Sequence, residues 1–339
     1  MAVAAAALLD RDVDAPAVMA TAGSGMAIMD GLKERLDGLR QKLPSERPLL
    51  YLDYPVHLNV GDQLINLGTE CWLADHDRRV IGRFSLFNCP TDIARRIPAD
   101  TIILLNGGGN FGDVYDDHES FRQRIVAGCP RHRIVILPQT IHFVSAEALA
   151  SAAAVYRRHP DLTICVRDDR SAAIAAELAG EAMKLPDMAH QLWRHPALQR
   201  LRGPAAPPGG PLRFFRKDAE TTGGSPAAAA ADWVDWQRPA ATLGFRGLRK
   251  LHHLAPLLPG SVGLAGLWYR FRDGLLAGAL ARLGSPAAVE TDRLHMGILA
   301  ALLGIPVVLY DNSYGKNAGY AAAWLAGHDG IRFLGRRRP

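Results

Sequence analysis

Short, continuous apolar runs recur along this chain, and each is followed by a polar loop and a segment with helical spacing. "PLLYLDY", "RVIGRFS", "TIILLN", "RIVILPQT" and "LTICVRD" are the runs. "QLINLGTECWLADH", "ESFRQRIVAGC" and "SAEALASAAAVYRRH" are the intervening helical segments. A strand that is apolar along its whole length must be covered on both faces. Strands alternating with helices supply that cover by parallel pairing with helical crossovers. This pattern excludes hairpin-based all-β folds and helical bundles, and it predicts an α/β class.

The alternation is preceded by a helix at "GLKERLDGLRQKL" and lapses near "LPDMAHQLW". "GPAAPPGGP", residues 203–211, has no core-forming residue and reads as a linker. A second series follows: strand "LRFFRKD", the low-complexity stretch "ETTGGSPAAAAADWVDW", helices over 240–282, strand "AAVET", helix "RLHMGILAALLG", strand "IPVVLYD" and a closing helix near "AGYAAAWLAG". The expected architecture is α/β: two facing Rossmann-like domains over 26–202 and 212–339, with an Ala-rich, frayed arm over 1–25. In open α/β sheets ligands bind beyond the carboxyl ends of the strands, so motifs just after strands carry the functional weight.

Composition narrows the class. The 339 residues are 48% hydrophobic and 22% charged, a globular balance, with a formal net charge of +5. That excess suits an anionic substrate or a membrane surface and is too small to argue for nucleic acid. Arginine far outnumbers lysine, so a lone arginine is a weak signal. Cys71, Cys89, Cys129 and Cys165 show neither metal-ligand nor disulfide-framework spacing, which predicts a cytoplasmic, reducing location. The opening "MAVAAAALLDRD" lacks a basic segment ahead of its apolar run, so no signal peptide is expected. No stretch matches the roughly 18 charge-poor residues of a membrane span.

Four motifs follow strands. In "HLNVGDQLI", Asp62 either N-caps the next helix or, with Asn59, handles a ligand hydroxyl while Gly61 lets the ligand approach. In "LLNGGGNFGDVYDD", Gly107, Gly108 and Gly109 remove three side chains at a strand end, leaving room for a substrate contacted by Asn110 and Asp113. Their spacing is not the GxGxxG of a dinucleotide site, which counts against a dehydrogenase. In "ICVRDDRS", Arg167 suits an oxyanion through its planar fork, or else pairs with Asp168 or Asp169. In "FFRKDAE", Arg216, Lys217, Asp218 and Glu220 either bind the acceptor or brace an interface.

"ETDRLHMGILAALLGIPVVLYDNSYGK", residues 290–316, holds the densest chemistry. Arg293 and His295 fall at the start of a helix whose free N–H groups and dipole attract a phosphate or carboxylate. His295 is the natural proton donor there. Thr291 and Asp292 are the expected N-caps. Alone, the stretch specifies anion binding with acid/base chemistry, without fixing the reaction.

Taken together, "NVGD", "GGGNFGD", "LPQT", "VRDDRS", "LPDMA", "RKDAE" and "TDRLHMGILAALLGIPVVLYDNSYGK" occur in the order seen in bacterial polysaccharide pyruvyl transferases. The chain resembles the exopolysaccharide branch of that family over about residues 48–325. The resemblance implies an architecture like that of the GT-B glycosyltransferases. It implies phosphoenolpyruvate as donor, a cyclic pyruvate ketal as product, and a hexose of an undecaprenyl-linked oligosaccharide as acceptor. Arg293, Leu294 and His295 match the family's donor-binding motif, and Arg167 matches a second arginine. His295 is then the acid that protonates the enol carbon, and Asp62 or Asp113 the base for the sugar hydroxyl. No cofactor or metal is needed. "FRGLRKLHH" and "LWYRFR" within 245–272 either touch an anionic inner membrane surface or form a solvated basic face. The competing readings are a nucleotide-sugar glycosyltransferase, with Asp311 as its ribose contact, and a non-catalytic relative.

Overall fold

The computed structural model describes residues 23–202, 208–215, 239–255, 263–312 and 315–336. The chain forms two compact units, each built from separate stretches. The larger comprises Glu34–Gln191 and Gln237–Gly274; the smaller comprises Met1–Lys33, Leu192–Trp236 and Leu275–Pro339.

The larger unit is built on seven strands: β1 Leu49–Leu52, β2 Val80–Phe84, β3 Ile102–Leu105, β4 Gly108–Phe111, β5 Ile134–Ile141, β6 Leu162–Val166 and β7 Glu181–Lys184. The order is β2-β1-β3-β5-β6-β7, with β4 also on β5, and every pairing is parallel. Five of these strands are the apolar runs read from the sequence. The other two escaped that reading because β4 is mostly glycine and asparagine, and β7, "EAMK", is a polar edge strand.

Alternation along each strand divides one apolar run between two cores. Leu50, Leu52, Ile103, Leu105, Ile134, Ile136, Ile164 and Val166 belong to one, with Phe121 and Ile125 of α3 (Asp116–Gly128), Ala152 and Tyr156 of α4 (Ala146–Tyr156), and Ala175 and Leu178 of α5 (Asp169–Leu178). Leu49, Tyr51, Ile102, Leu104, Val135 and Cys165 belong to the other. They join Ile65 and Trp72 of α2 (Val60–Asp75) and Trp268 of α7 (Leu264–Leu283), a helix that passes from the larger unit's residues into the smaller's. Helix α6 (Pro239–Leu254) docks on this second face through buried His252, which hydrogen-bonds the Tyr54 hydroxyl at 2.9 Å.

Local chemistry sets where these helices start. Asn59 accepts from the Gly61 N–H at 3.0 Å to cap α2, Ser145 accepts from Ala148 at 3.2 Å to cap α4, and Asp168 accepts from Ser171 at 2.7 Å to cap α5. Asp62, one of the two readings of "NVGD" as an N-cap, therefore does not cap; Asn59 does, and Asp62 stands in the first turn.

The smaller unit holds a four-stranded sheet in the order β13-β12-β11-β9: β9 Leu212–Phe214, β11 Val289–Thr291, β12 Val307–Leu309 and β13 Ile331–Phe333, again all parallel. A two-residue pair, β8 Pro208–Gly209 with β10 Ser285–Pro286, uses the end of the Pro/Gly stretch. Helix α8 (Leu294–Leu302) connects β11 to β12. The expected closing helix is α9 (Lys316–Tyr320) running into a wider π turn over Ala321–Leu325. The first helix, α1 (Ser24–Arg35), belongs largely to this unit; the Gly23 and Gly25 N–H groups donate to the Asp329 carboxylate at 2.9 and 3.0 Å. Ser24 and Gly25, expected in a frayed arm, are thus helical. All four cysteines are buried thiols, and no helix among the described residues is long and apolar enough to cross a membrane.

Gly112, the last glycine of "GGGNFGD", has φ +128°, and a Cβ there would lie 1.8 Å from the His142 carbonyl oxygen. We expect Gly112→Ala to cost about 3 kcal/mol or more, because backbone strain and a clash with backbone act together. Urea denaturation of the variant checks this; a loss under about 1 kcal/mol would mean the turn relaxes.

Candidate functional site

The strand order of the larger unit reverses between β1 and β3, which opens a crevice at their carboxyl ends. Asp53 follows β1 directly. It is 3% exposed and has φ +63°, a conformation that costs a non-glycine residue energy and concentrates at functional sites. Its carboxylate accepts from His118 Nδ1 of α3 at 3.0 and 3.1 Å. The His57 ring lies edge-on to His118, centroids 6.4 Å apart, and His57 Nε2 is 3.6 Å from an Asp62 carboxylate oxygen. Two carboxylates and two imidazoles thus meet at the switch point.

Their environments pull the two histidines apart. Burial disfavours the His118 imidazolium, but the charge and hydrogen bond of Asp53 outweigh it and hold its pKa above the usual histidine value. For His57 burial prevails over Asp62, with His118 and Arg249 adding positive charge, and its pKa is lowered. One imidazole is biased toward the cation and its neighbour toward the neutral base, a division that separates acid and base roles.

The triple glycine serves two purposes. A Cβ on Gly107 would meet the Pro138 carbonyl oxygen at 2.8 Å, so that residue is bare to admit strand β5. Gly108, at φ +135°, would put a Cβ 3.6 Å from Asp62 Oδ1, so its bareness keeps space beside the carboxylate. Gly109 is half-buried within β4. Asn110 Oδ1 accepts from Arg122 Nη2 at 2.9 Å, and Arg122 in turn pairs with Glu119 at 2.7 Å. Asn59 is occupied as a cap, and Gly61 is buried in the first turn of α2. Asp113 spends both oxygens on backbone, accepting from Val144 N at 2.7 Å and Ser145 N at 2.8 Å. Of the two carboxylates considered as bases, Asp62 is the one beside an imidazole.

Arg167 is fully buried. Its Nη1 pairs with Asp187 of "LPDMA", and its Nη2 and Nε donate to Thr140 Oγ1 at 2.9 and 3.3 Å. Asp168 and Asp169, offered as its partners, are engaged elsewhere: Asp168 caps α5 and Asp169 pairs with Lys184.

In the smaller unit Arg293 occupies the N-cap position of α8, and its own side chain makes no capping hydrogen bond. The N-cap position thus falls at Arg293, beyond Thr291 and Asp292, the residues expected there. The Thr291 hydroxyl donates to the Phe214 carbonyl at 2.6 Å and accepts from Arg293 N at 3.0 Å, tying β9 to the turn. Leu294 is buried; His295 is half-buried on the first turn, and the Arg293 guanidinium lies over the Phe214 ring at 5.8 Å. Buried Asn317 donates to the carbonyls of Asp292 (2.7 Å) and Tyr310 (2.8 Å), bolting α9 against the same turn. Asp311 Oδ1 accepts from the backbone N–H groups of Asn312, Asn317 and Ala318 at 3.0–3.2 Å. Asp311, the residue that kept the nucleotide-sugar reading open, is thus engaged through one carboxylate oxygen. Arg216, Lys217, Asp218 and Glu220 lie outside the described residues.

Sequence reading missed Asp53 and His118. Asp53 carried one legible signal, being the first polar residue after an apolar strand; His118, within "DDHES", carried none.

Two outcomes are expected. By histidine NMR titration, His118 titrates above and His57 below the ordinary value, and Asp53→Asn brings His118 down. Because the folded pKa of His118 is raised, its stabilisation is complete below the unfolded value and fades as pH rises through the folded one. In chemical denaturation Arg167→Ala loses about 3–5 kcal/mol, since Asp187 stays buried without its arginine; a loss below about 1 kcal/mol would make that pair incidental.

Comparison with known proteins adds to this geometry. The polysaccharide pyruvyl transferase family model matches residues 59–314. "Putative pyruvyl transferase EpsO" of Bacillus subtilis (strain 168) is 36% identical over 313 residues, 90% of this chain and 94% of that protein. "Pyruvyl transferase 1" of Schizosaccharomyces pombe is 27% identical, covering 81% of this chain and 69% of its own length. In fold, the crystal structure of KP1_0663 from Klebsiella pneumoniae is similar with a TM-score of 0.57 at 19% identity, over 89% of this chain and 98% of that one. The chain belongs to the polysaccharide pyruvyl transferase family.

Proposed function

We propose that the protein moves the enolpyruvyl group of phosphoenolpyruvate onto a hexose of a lipid-linked exopolysaccharide repeat unit and closes a cyclic pyruvate ketal. The observation that supports the donor assignment is the start of α8 directly after β11, where Arg293 at the N-cap position and half-buried His295 share one turn at a helix N-terminus, whose dipole favours an anion. Leu294 contributes its backbone N–H, its side chain being buried.

In this reading His295 protonates the methylene carbon of the donor, and the adjacent carbon becomes an oxocarbenium-like centre. One sugar hydroxyl adds there; the bond to the phosphate oxygen breaks, and a second hydroxyl closes the ketal. Of the two hydroxyl protons, one balances the new methyl group and the other leaves with phosphate. His57 with Asp62 accepts the proton of the attacking hydroxyl, and His118, whose imidazolium form Asp53 favours, donates a hydrogen bond to the sugar. A lipid-linked acceptor sets the work at the cytoplasmic face of the inner membrane.

Isothermal titration with phosphoenolpyruvate, with UDP-glucose in parallel, tests the donor. Saturable phosphoenolpyruvate binding is expected, weakened about tenfold or more by Arg293→Ala, as for loss of a charge-assisted contact. His295→Gln is expected to bind the donor and fail to turn over. Binding of UDP-glucose alone would return the protein to the nucleotide-sugar reading.

A further inference from the structure

Beside the His57–Asp62 contact runs a groove lined by His57, Leu58, Phe245, Arg246, Arg249 and Lys250. The last four lie on α6, and the three cations, spaced i, i+3 and i+4, share one helix face. All three are exposed, and no ion pair to any of them is found among the described residues. Like charges four apart on a helix repel, so a bound anion would relieve this face. Arg249 is oriented by the Phe87 ring, 5.2 Å from its guanidinium carbon, and the His253 ring lies on the same phenyl at 4.4 Å. The rest of the lining is apolar: Leu58, Phe245 and Leu254, the last 43% exposed. Three exposed cations beside exposed Leu254 and half-buried Phe245 fit a phosphate ester of an apolar group better than a free sugar or a free phosphate.

We propose that this groove is a phosphate-ester subsite. Arg246, Arg249 and Lys250 hold a phosphate or diphosphate, Phe245 and Leu254 take the apolar group attached to it, and the other substituent extends toward His57. The identification of that ligand as the acceptor rests on the function proposed above; the binding itself does not.

Farnesyl diphosphate, which carries a diphosphate on an apolar chain and no sugar, is the probe. Titrated into the full chain, it is expected to bind saturably, to weaken about a hundredfold in Arg246→Gln/Arg249→Gln, and to bind Arg293→Ala as it does the wild type, at roughly tenfold per lost charged contact. A melting curve of the double variant establishes that it is folded, and Lys250→Gln provides an independent substitution. Absence of binding, or binding unchanged in both α6 variants, would overturn the subsite. So would loss of binding in Arg293→Ala, which would move the probe to α8. A parallel sedimentation arm uses phosphatidylglycerol vesicles: vesicle binding that needs Arg246 and Arg249, without farnesyl diphosphate binding, would make the face a membrane contact and sink the proposal. Failure of the donor reading shows separately, as silence toward phosphoenolpyruvate while farnesyl diphosphate still binds.

Discussion

The reversal of strand order between β1 and β3 is the constraint on which the larger unit depends. The connection from β1 to β2 carries α2, packed with one core, and the connection from β3 to β5 carries α3, packed with the other. Connections that leave adjacent strands for opposite faces cannot cover the carboxyl ends between them. Asp53 emerges into that opening in a strained conformation, Gly108 leaves it unfilled, and the first turns of α2 and α3 bring Asp62 and His118 to its rim. Backbone topology makes the crevice, and two carboxylates and two imidazoles line it.

Charge is sorted by burial. Arg167–Asp187 and Arg122–Glu119 are buried pairs whose partners come from different segments or turns, and each would leave a costly lone charge if broken. They hold loops in place: Asp187 fixes the segment after β7 to the end of β6, and Arg122 fixes Asn110 in β4. The exposed cations of α6 are the reverse case, with charge displayed along a groove and no carboxylate among the described residues to neutralise it.

The family's motifs acquire separate physical jobs. The Asn of "NVGD" caps α2 while its Asp stands beside His57. In "GGGNFGD", Gly107 and Gly112 yield to neighbouring backbone, Gly108 leaves space beside Asp62, Asn110 anchors on Arg122, and Asp113 caps the Val144–Ser145 turn. "LPDMA" answers the arginine of "VRDDRS". In "DNSYGKN", Asp311 caps α9 and Asn317 clamps the turn that carries Arg293 and His295. Motif residues therefore divide between those that build the site and those positioned to react in it, and spacing alone does not tell the two apart.

The sequence by itself determined the α/β class, five of the strands in the larger unit, the helix after β11 and the family, because these follow from local periodicity and from residue order. Only the tertiary structure decided which polar residues were spent. Asp113, Asn59, Asp311 and Arg167 all looked available in the sequence and are all engaged by backbone or by a distant partner. It also brought Asp53 to His118 across 65 residues, a pairing no local pattern encodes. The reason is that hydrogen bonding and burial are settled by neighbours in space, and in a parallel sheet those neighbours are separated by whole helices.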